Sequence, residues 1–312
     1  MSTYIYIIDD LVFFFVGIVI LYLFVLAVAS HFKRIVYPKA EKKYHCAILV
    51  PEESPLPVIY REKFYEFTYN DLHQGINTLD REHYQLVLIL SDTAISLSPL
   101  FLEKIYNAYD AGIQAIQLHT VIENRKGFCN RFRAICKEIK NSLFRAGNTQ
   151  FGLSSNLSGT NIAIDLEWLQ NNLRSSKTNI ERKLFRKNVY IDYLPDAIVY
   201  CQSSPVHPYR RRLRKTASYF FPSLLEGNWN FCNRIVQHLI PSPLKMCIFV
   251  SVWTLLITGY NWALSIGWWL ILFGLLVTYS LAIPDYLVED KKKKHSIWRK
   301  RHLSNELKKN PV

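Results

Sequence analysis

The sequence predicts an α/β fold, a mostly parallel sheet with flanking helices, carried on three membrane-spanning helices. Three observations predict it. Short apolar runs alternate with helical periods between residues 44 and 240, an uncharged stretch long enough for one span precedes them, and one long enough for two follows.

The first uncharged stretch runs from Leu11 to Ser30, about the 20 residues that a bilayer core requires. Asp9 and Asp10 precede it and His31-Phe32-Lys33-Arg34 follow, so it has neither the basic leader nor the small-residue cleavage site of a secretory signal. It reads as an uncleaved anchor, with residues 1–33 as the first unit. Residues 34–240 form the main domain. A second uncharged stretch, Met246 to Pro284, suits a helical hairpin turning at Gly259-Tyr260-Asn261-Trp262, and gives the third unit, 241–284. Trp253, Trp262, Trp268, Trp269 and Tyr279 suit the membrane interfaces or packing between helices. A basic tail, 285–312, closes the chain with Lys291-Lys292-Lys293-Lys294 in it.

Charge sets the orientation. Lys and Arg follow the first span, fill 33–245 and recur in the tail, whereas the N-terminus and the hairpin turn have none. The positive-inside rule then puts the main domain and tail in the cytoplasm and the N-terminus outside, in a multi-pass protein of the cell's inner (plasma) membrane. The net charge of +13 needs no nucleic acid, because basic residues beside a membrane attract anionic lipid, and no module interleaves basic and aromatic residues on one face. The six cysteines show no CxxC pair and no zinc spacing, and read as small buried hydrophobes in a reducing compartment.

Within the main domain, HCAILVPEES (45–54) reads as a strand turning at Pro51, and a helix covers Tyr69 to Leu79. Leu86 to Leu90 form an apolar run of the kind covered on both faces, stopping at Ser91-Asp92-Thr93-Ala94. Ser98 and Pro99 suit an N-cap and first turn, with Phe101, Leu102, Ile105 and Ala108 at helical spacing behind them. GIQAIQLHT (112–120) is the next strand. A basic amphipathic helix then spans roughly 130–145, with Phe132, Ile135, Ile139 and Leu143 on one stripe. SSNLSGTNIAI (154–164) is a polar loop entering a strand, and 181–200 gives a helix and a strand pair broken at Pro195-Asp196. In open α/β sheets ligands bind beyond the carboxyl ends of strands, where Asp92 stands; a turn or capping carboxylate is the plain alternative.

The order of these segments resembles the membrane-bound family 2 glycosyltransferases of the processive, cellulose-synthase-like type, whose cytoplasmic GT-A domain sits between spanning helices. YQLVLILSDTAISLSPLFLEKI looks like that family's strand ending in Asp-x-Asp, and FGLSSNLSGTNIAI its Gly-x-Gly-Met-Ala acceptor loop. NVYIDYLPDAIVY resembles the strand continuing into Pro-Glu-Ala. YRRRLRKTASYF, then EGNWNF and RIVQHLIP, are similar to the Gln-x-x-Arg-Trp helix and the interfacial segment behind it. The likeness covers nearly everything from His45 to the hairpin.

This resemblance implies a nucleotide-sugar donor whose pyrophosphate is bridged by Mg2+ or Mn2+, since hard cations take oxygen ligands, and a base that accepts the acceptor's proton. It places Asp92 on the metal and the donor, with Pro51, Glu52, Arg210 and Arg212 around the nucleotide sugar. Gly159, Thr160 and Asn161 fall in the acceptor loop, and Glu181 is the residue nearest the family's catalytic base. The sequence also departs from the family. Ala94 stands where the second Asp belongs, Ser175 to Ile180 lack the Glu-Asp pair, and Tyr209-Arg210-Arg211-Arg212-Leu213 keeps the Arg but loses the amide and the indole. Between Pro51 and Tyr69 the chain is shorter than the family pattern, and the strand whose Asp contacts the nucleobase is expected to be missing. A Glu opening a helix is stabilised by the dipole without catalytic duty, and Arg210 and Arg212 also suit a surface beside anionic lipid. Two functions stay open, beside a weaker third, a membrane-surface binding protein with no nucleotide site. One is transfer of a sugar to a lipid-linked or polysaccharide acceptor. The other is a catalytically silent relative, a possible pseudoenzyme, serving as scaffold or partner for other proteins in envelope polysaccharide assembly.

Overall fold

The structure, a computed structural model, describes residues 2–32, 36–50, 64–66, 72–98, 100–173, 180–203 and 218–284. Helix α1 (Ser2–Ala29) leads into strand β1 (Cys46–Val50), followed by β2 (Phe64–Glu66), α2 (Leu72–Thr78), β3 (Leu86–Ile89), β4 (Ala94–Leu97), α3 (Phe101–Asp110) and β5 (Ala115–Ile122). Next come α4 (Phe128–Asn141), a π-helical turn (Ser142–Gly147) with a last helical turn Asn148–Gln150, then β6 (Ile162–Asp165), α5 (Leu166–Asn172), α6 (Ile180–Arg186) and β7 (Ile191–Cys201). Helices α7 (Phe220–Leu225) and α8 (Trp229–Leu239) lead to the hairpin α9 (Pro243–Tyr260) and α10 (Trp262–Leu281).

The seven strands form one sheet in the order β2-β1-β3-β6-β5-β7-β4. Strands β2, β1 and β3 run parallel, as do β5 and β7, while β6 opposes both its neighbours and β4 opposes β7. Alternation along the strands buries both faces. Ala47, Leu49, Val87 and Ile89 face a core closed by α5, α6 and α8, and Ile48, Leu86, Leu88 and Leu90 face one closed by α3.

The details differ from the sequence expectation where short segments meet sheet edges. Strand β4, four residues containing a Ser, is too brief to signal itself, yet it pairs with β7. The helix expected from Ser98 begins at Phe101, after Leu100 in the left-handed region at φ 57°; Pro99 lies outside the described residues. Ser98 serves the sheet instead, donating its N–H to Ile198 O at 2.9 Å and accepting from Ile198 N at its hydroxyl at 3.0 Å. The strand pair expected around Pro195-Asp196 is a single strand, β7. Its register against β5 jumps from Leu118 opposite Leu194 to His119 opposite Ile198, so the Pro, which has no N–H to give the ladder, is carried in a bulge. Between Pro51 and Tyr69, where the strand is expected to be missing, the chain does form one: β2 pairs parallel with β1.

Helices α1, α9 and α10 are long and apolar enough to cross a membrane. Asn261 ends α9, and its side chain accepts the Ala263 N–H to open α10, so the expected turn is in place. In α1 one stripe (Val16, Ile20, Leu23, Ala27) packs on the hairpin, while Leu11, Phe14, Ile18 and Leu21 are exposed. The stripe expected on α4 joins this bundle through Ile135, Ile139 and Leu143, which seats the helix on the three long apolar helices rather than on the sheet alone. Phe132 instead stacks on Phe128. All six cysteines are free.

Candidate functional site: a strand end, a tethered loop and a buried arginine

Strand β3 has a parallel neighbour on one side and an antiparallel one on the other, so its carboxyl end meets the amino end of β6, with Ile89 opposite Ile162. The loop entering β6 therefore lies against the residues leaving β3. Asn161 makes the join. It takes the left-handed conformation at φ 56°, which Asn tolerates better than most residues. Its Oδ1 accepts the Ser91 N–H at 2.9 Å, its Nδ2 donates to Thr120 Oγ1 at 2.9 Å, and its carbonyl accepts from Gln117 Nε2 and Leu118 N, each at 3.0 Å. Gln117 Oε1 in turn accepts the Ser158 N–H at 2.7 Å. Next to this join, Asp92 stands half-buried, with Oδ1 accepting from Ser91 Oγ at 3.0 Å.

Behind the loop the π-helical turn delivers a buried cation. Arg145 donates to Asn156 O at 3.1 Å, to Ser158 Oγ at 2.7 Å and to Asn141 Oδ1 at 2.7 Å, and its guanidinium lies 5.8 Å from the centre of the Tyr193 ring. Burial works against its charge, and Tyr193 and Glu138 work for it. Glu138 accepts from Asn141 at 3.2 Å and lies 3.7 Å from His119 Nε2, while His119 Nδ1 bonds the Tyr193 hydroxyl. The same turn is pressed on α1, for a Cβ on Gly147 would lie 2.5 Å from Leu26 O. Lys137, on α4, is a second cation here; burial pushes its ammonium down to about 8, with Cys201, Arg145 and Glu138 as charged or titratable neighbours.

Glu181 opens α6 on the far side of the loop. One carboxylate oxygen is 2.6 Å from Arg234 Nη2 and also accepts the Leu157 N–H at 3.2 Å. The structure thus brings together Asp92, Gly159, Thr160 and Asn161, and ties Glu181 to the loop four residues earlier. Pro51, Glu52, Arg210 and Arg212 lie outside the described residues. Two side-chain atoms of the loop, Asn156 Oδ1 and Thr160 Oγ1, are buried without a hydrogen-bond partner among the described residues.

A divalent metal finds one carboxylate at this strand end. Ala94, two residues on, is fully buried in the core and pairs with Cys201, so its side-chain position is packed among apolar residues and offers a metal no open coordination place. Among the described residues no group of three His, Cys, Asp or Glu side chains is arranged to hold a metal. One carboxylate still suits a cation such as Mg2+ that is held by one or two protein oxygens, waters and substrate phosphates.

Sequence reasoning missed Arg145, Gln117 and Lys137. Arg145 was read as the last residue of an amphipathic helix, and a π-turn shifts the helical phase from its position onward. Gln117, a lone amide in an apolar strand with 0 % exposure, was a signal present in the sequence, since a buried amide needs partners.

A mannosyltransferase of Pyrobaculum calidifontis, solved in complex with GDP-Man and Mn2+, is similar to the chain at a TM-score of 0.49 and 12 % identity, over 88 % of this chain and 96 % of that one. No curated protein matches. A family model described as glycosyl transferase family group 2 matches residues 86–281, from β3 through the whole hairpin, and since that is more than half of the chain, the protein belongs to this family.

Proposed function

We propose that the protein is a membrane-bound glycosyltransferase that takes a sugar from a nucleotide-sugar donor and passes it to a lipid-linked or polysaccharide acceptor. The work takes place on the cytoplasmic side of the plasma (inner) membrane, with the N-terminus outside, and the units follow the sequence boundaries, 1–33, 34–240, 241–284 and 285–312. One observation carries this reading. A half-buried carboxylate at the end of β3 is held beside a tightly tethered loop that still buries a hydroxyl, Thr160 Oγ1, with no partner among the described residues. Buried polar groups without partners are rare, and a sugar hydroxyl is a partner of the right chemistry.

In this reading Asp92 orients the diphosphate end of the donor. Mg2+ or Mn2+, when bound there, neutralises charge on the departing nucleoside diphosphate. Lys137 adds positive field from β7's side, and Arg210 and Arg212 are the family-implied cations for the same diphosphate. Gly159, Thr160 and Asn161 border the acceptor. Pro51 and Glu52 fall at the nucleotide side. Glu181 reaches an acceptor proton as a base only by leaving Arg234, so we assign it first to holding the loop.

A second reading, a catalytically silent family member acting as a scaffold or partner protein in envelope polysaccharide assembly, is favoured by the burial of Ala94 and the Glu181 to Arg234 pair. One experiment separates the two. The full chain in lipid nanodiscs is melted with each common nucleotide sugar and Mn2+ at about 100 times the dissociation constant, where binding adds about 2.7 kcal/mol, and release of nucleoside diphosphate is assayed in parallel. Stabilisation with release, both lost in Asp92→Asn, supports the enzyme. Stabilisation without release supports the silent relative, and no stabilisation by any donor overturns the donor site.

A further inference from the structure

The far end of the membrane bundle holds a carboxylate that sugar transfer does not use. Asp9 is 5 % exposed and accepts the indole N–H of Trp253 and of Trp268, each at 3.0 Å and both at Oδ1. Each of the three membrane helices thus contributes one side chain to the cluster. Neither α1, nor α9 beyond Lys245, nor α10 contains a Lys, Arg or His, so nothing on these helices balances the charge. Two neutral indoles stabilise an oxygen by hydrogen bonding and leave the charge itself in apolar surroundings, where it is costly unless a cation joins it.

Beside Asp9 a cavity of about 310 Å³ opens between α1 and α9, lined by Ile8, Asp9, Trp253, Leu256, Ile257 and Tyr260. Ile8, Leu256 and Tyr260 are exposed on the outer surface of the bundle, so the cavity opens toward lipid. Its depth is set by the Tyr6 and Tyr260 rings, whose centres are 6.2 Å apart at the end of the bundle. Asp9 lies three residues along α1 from Tyr6, about 4.5 Å along the helix axis. That is the depth of a lipid headgroup and glycerol, not of the bilayer centre. Carboxylate and aromatic walls together recognise a cation that also donates hydrogen bonds.

We propose that this groove binds the primary ammonium headgroup of a membrane phospholipid, with Asp9 as counter-charge and Trp253 and Tyr260 as walls. The acyl chains run along Leu256, Val252 and Phe249, which are exposed on the same helix. This site is independent of the donor site and stands whether or not the chain transfers a sugar.

The test is native mass spectrometry of the full chain released from vesicles of equal phosphatidylethanolamine, phosphatidylcholine and phosphatidylglycerol. The expected result is retention of phosphatidylethanolamine about tenfold over phosphatidylglycerol, with phosphatidylcholine, whose methylated ammonium donates no hydrogen bond, in between. Asp9→Asn keeps an oxygen for both indoles and removes the charge, and it abolishes the preference. Leu256→Trp fills the cavity with Asp9 intact and abolishes retention. Equal retention of the three lipids, a phosphatidylcholine preference, an unchanged preference in Asp9→Asn, or a co-purifying protein segment crosslinked into the groove would overturn the proposal.

Discussion

The loop from Ser154 to Asn161 has two neighbours built on opposite terms. On the Arg145 side, three hydrogen bonds, a ring face and a carboxylate surround a cation that is 7 % exposed. On the Asp92 side a single carboxylate stands half-buried, with one neighbouring hydroxyl donating to it. The first neighbour fixes where the loop is, and the second leaves room for something to bind. The difference teaches that the fold secures this loop to the π-helical turn and α1 more firmly than it furnishes the strand end with carboxylates.

Four substitutions or conditions sharpen that contrast. Arg145→Met should have the largest effect, about 3–5 kcal/mol lost in denaturant unfolding, because it takes the donor from the buried acceptors Asn156 O and Asn141 Oδ1 and removes the positive charge whose field Glu138 shares. Gly147→Ala follows. Its Cβ would meet Leu26 O at 2.5 Å, backbone that yields only if α1 shifts, and a loss of about 1–3 kcal/mol is expected in the same measurement. A pH effect comes third. Burial, helped by Arg234, pushes the His238 imidazole down to about 3, so it is neutral in the native chain. The unfolded chain binds that proton below its ordinary value of about 6.5 and the native chain does not, so stability is full above 6.5 and falls steadily toward 3. Since the ring is partly exposed, the loss between pH 7.5 and 5.5 should stay below about 1 kcal/mol, and His238→Gln should flatten it. Asp92→Asn should be the smallest, within about 0.5 kcal/mol without ligand, since its donor among the described residues is a hydroxyl that still has Thr93 beside it. A large loss there would place Asp92 among the structural groups and remove the contrast.

The architecture was legible where a single periodicity ran long enough to dominate. The three spans, β1, β3 and the helix after Leu100 all declared themselves by uninterrupted apolar runs or clean helical spacing. Strand β4 did not, because its membership depends on β7, more than 90 residues away, supplying hydrogen bonds that no local pattern records. Pro195 suggested a break for a sound local reason, and the bulge that absorbs it is a property of the pairing with β5. In the site, Asp92 and Asn161 could be found from the order of motifs. Their connection through Ser91 could not, since a side chain bonding a backbone N–H 70 residues away leaves no trace in spacing. Arg145 was hidden by the π-turn, and Glu181 was visible while its partner Arg234 on α8 was not.

The contact between Gly147 and Leu26 has a mechanical consequence. With one main chain resting directly on another, and no side chain between them to act as a bearing, the π-helical turn cannot roll on α1 at this point without prying the two apart.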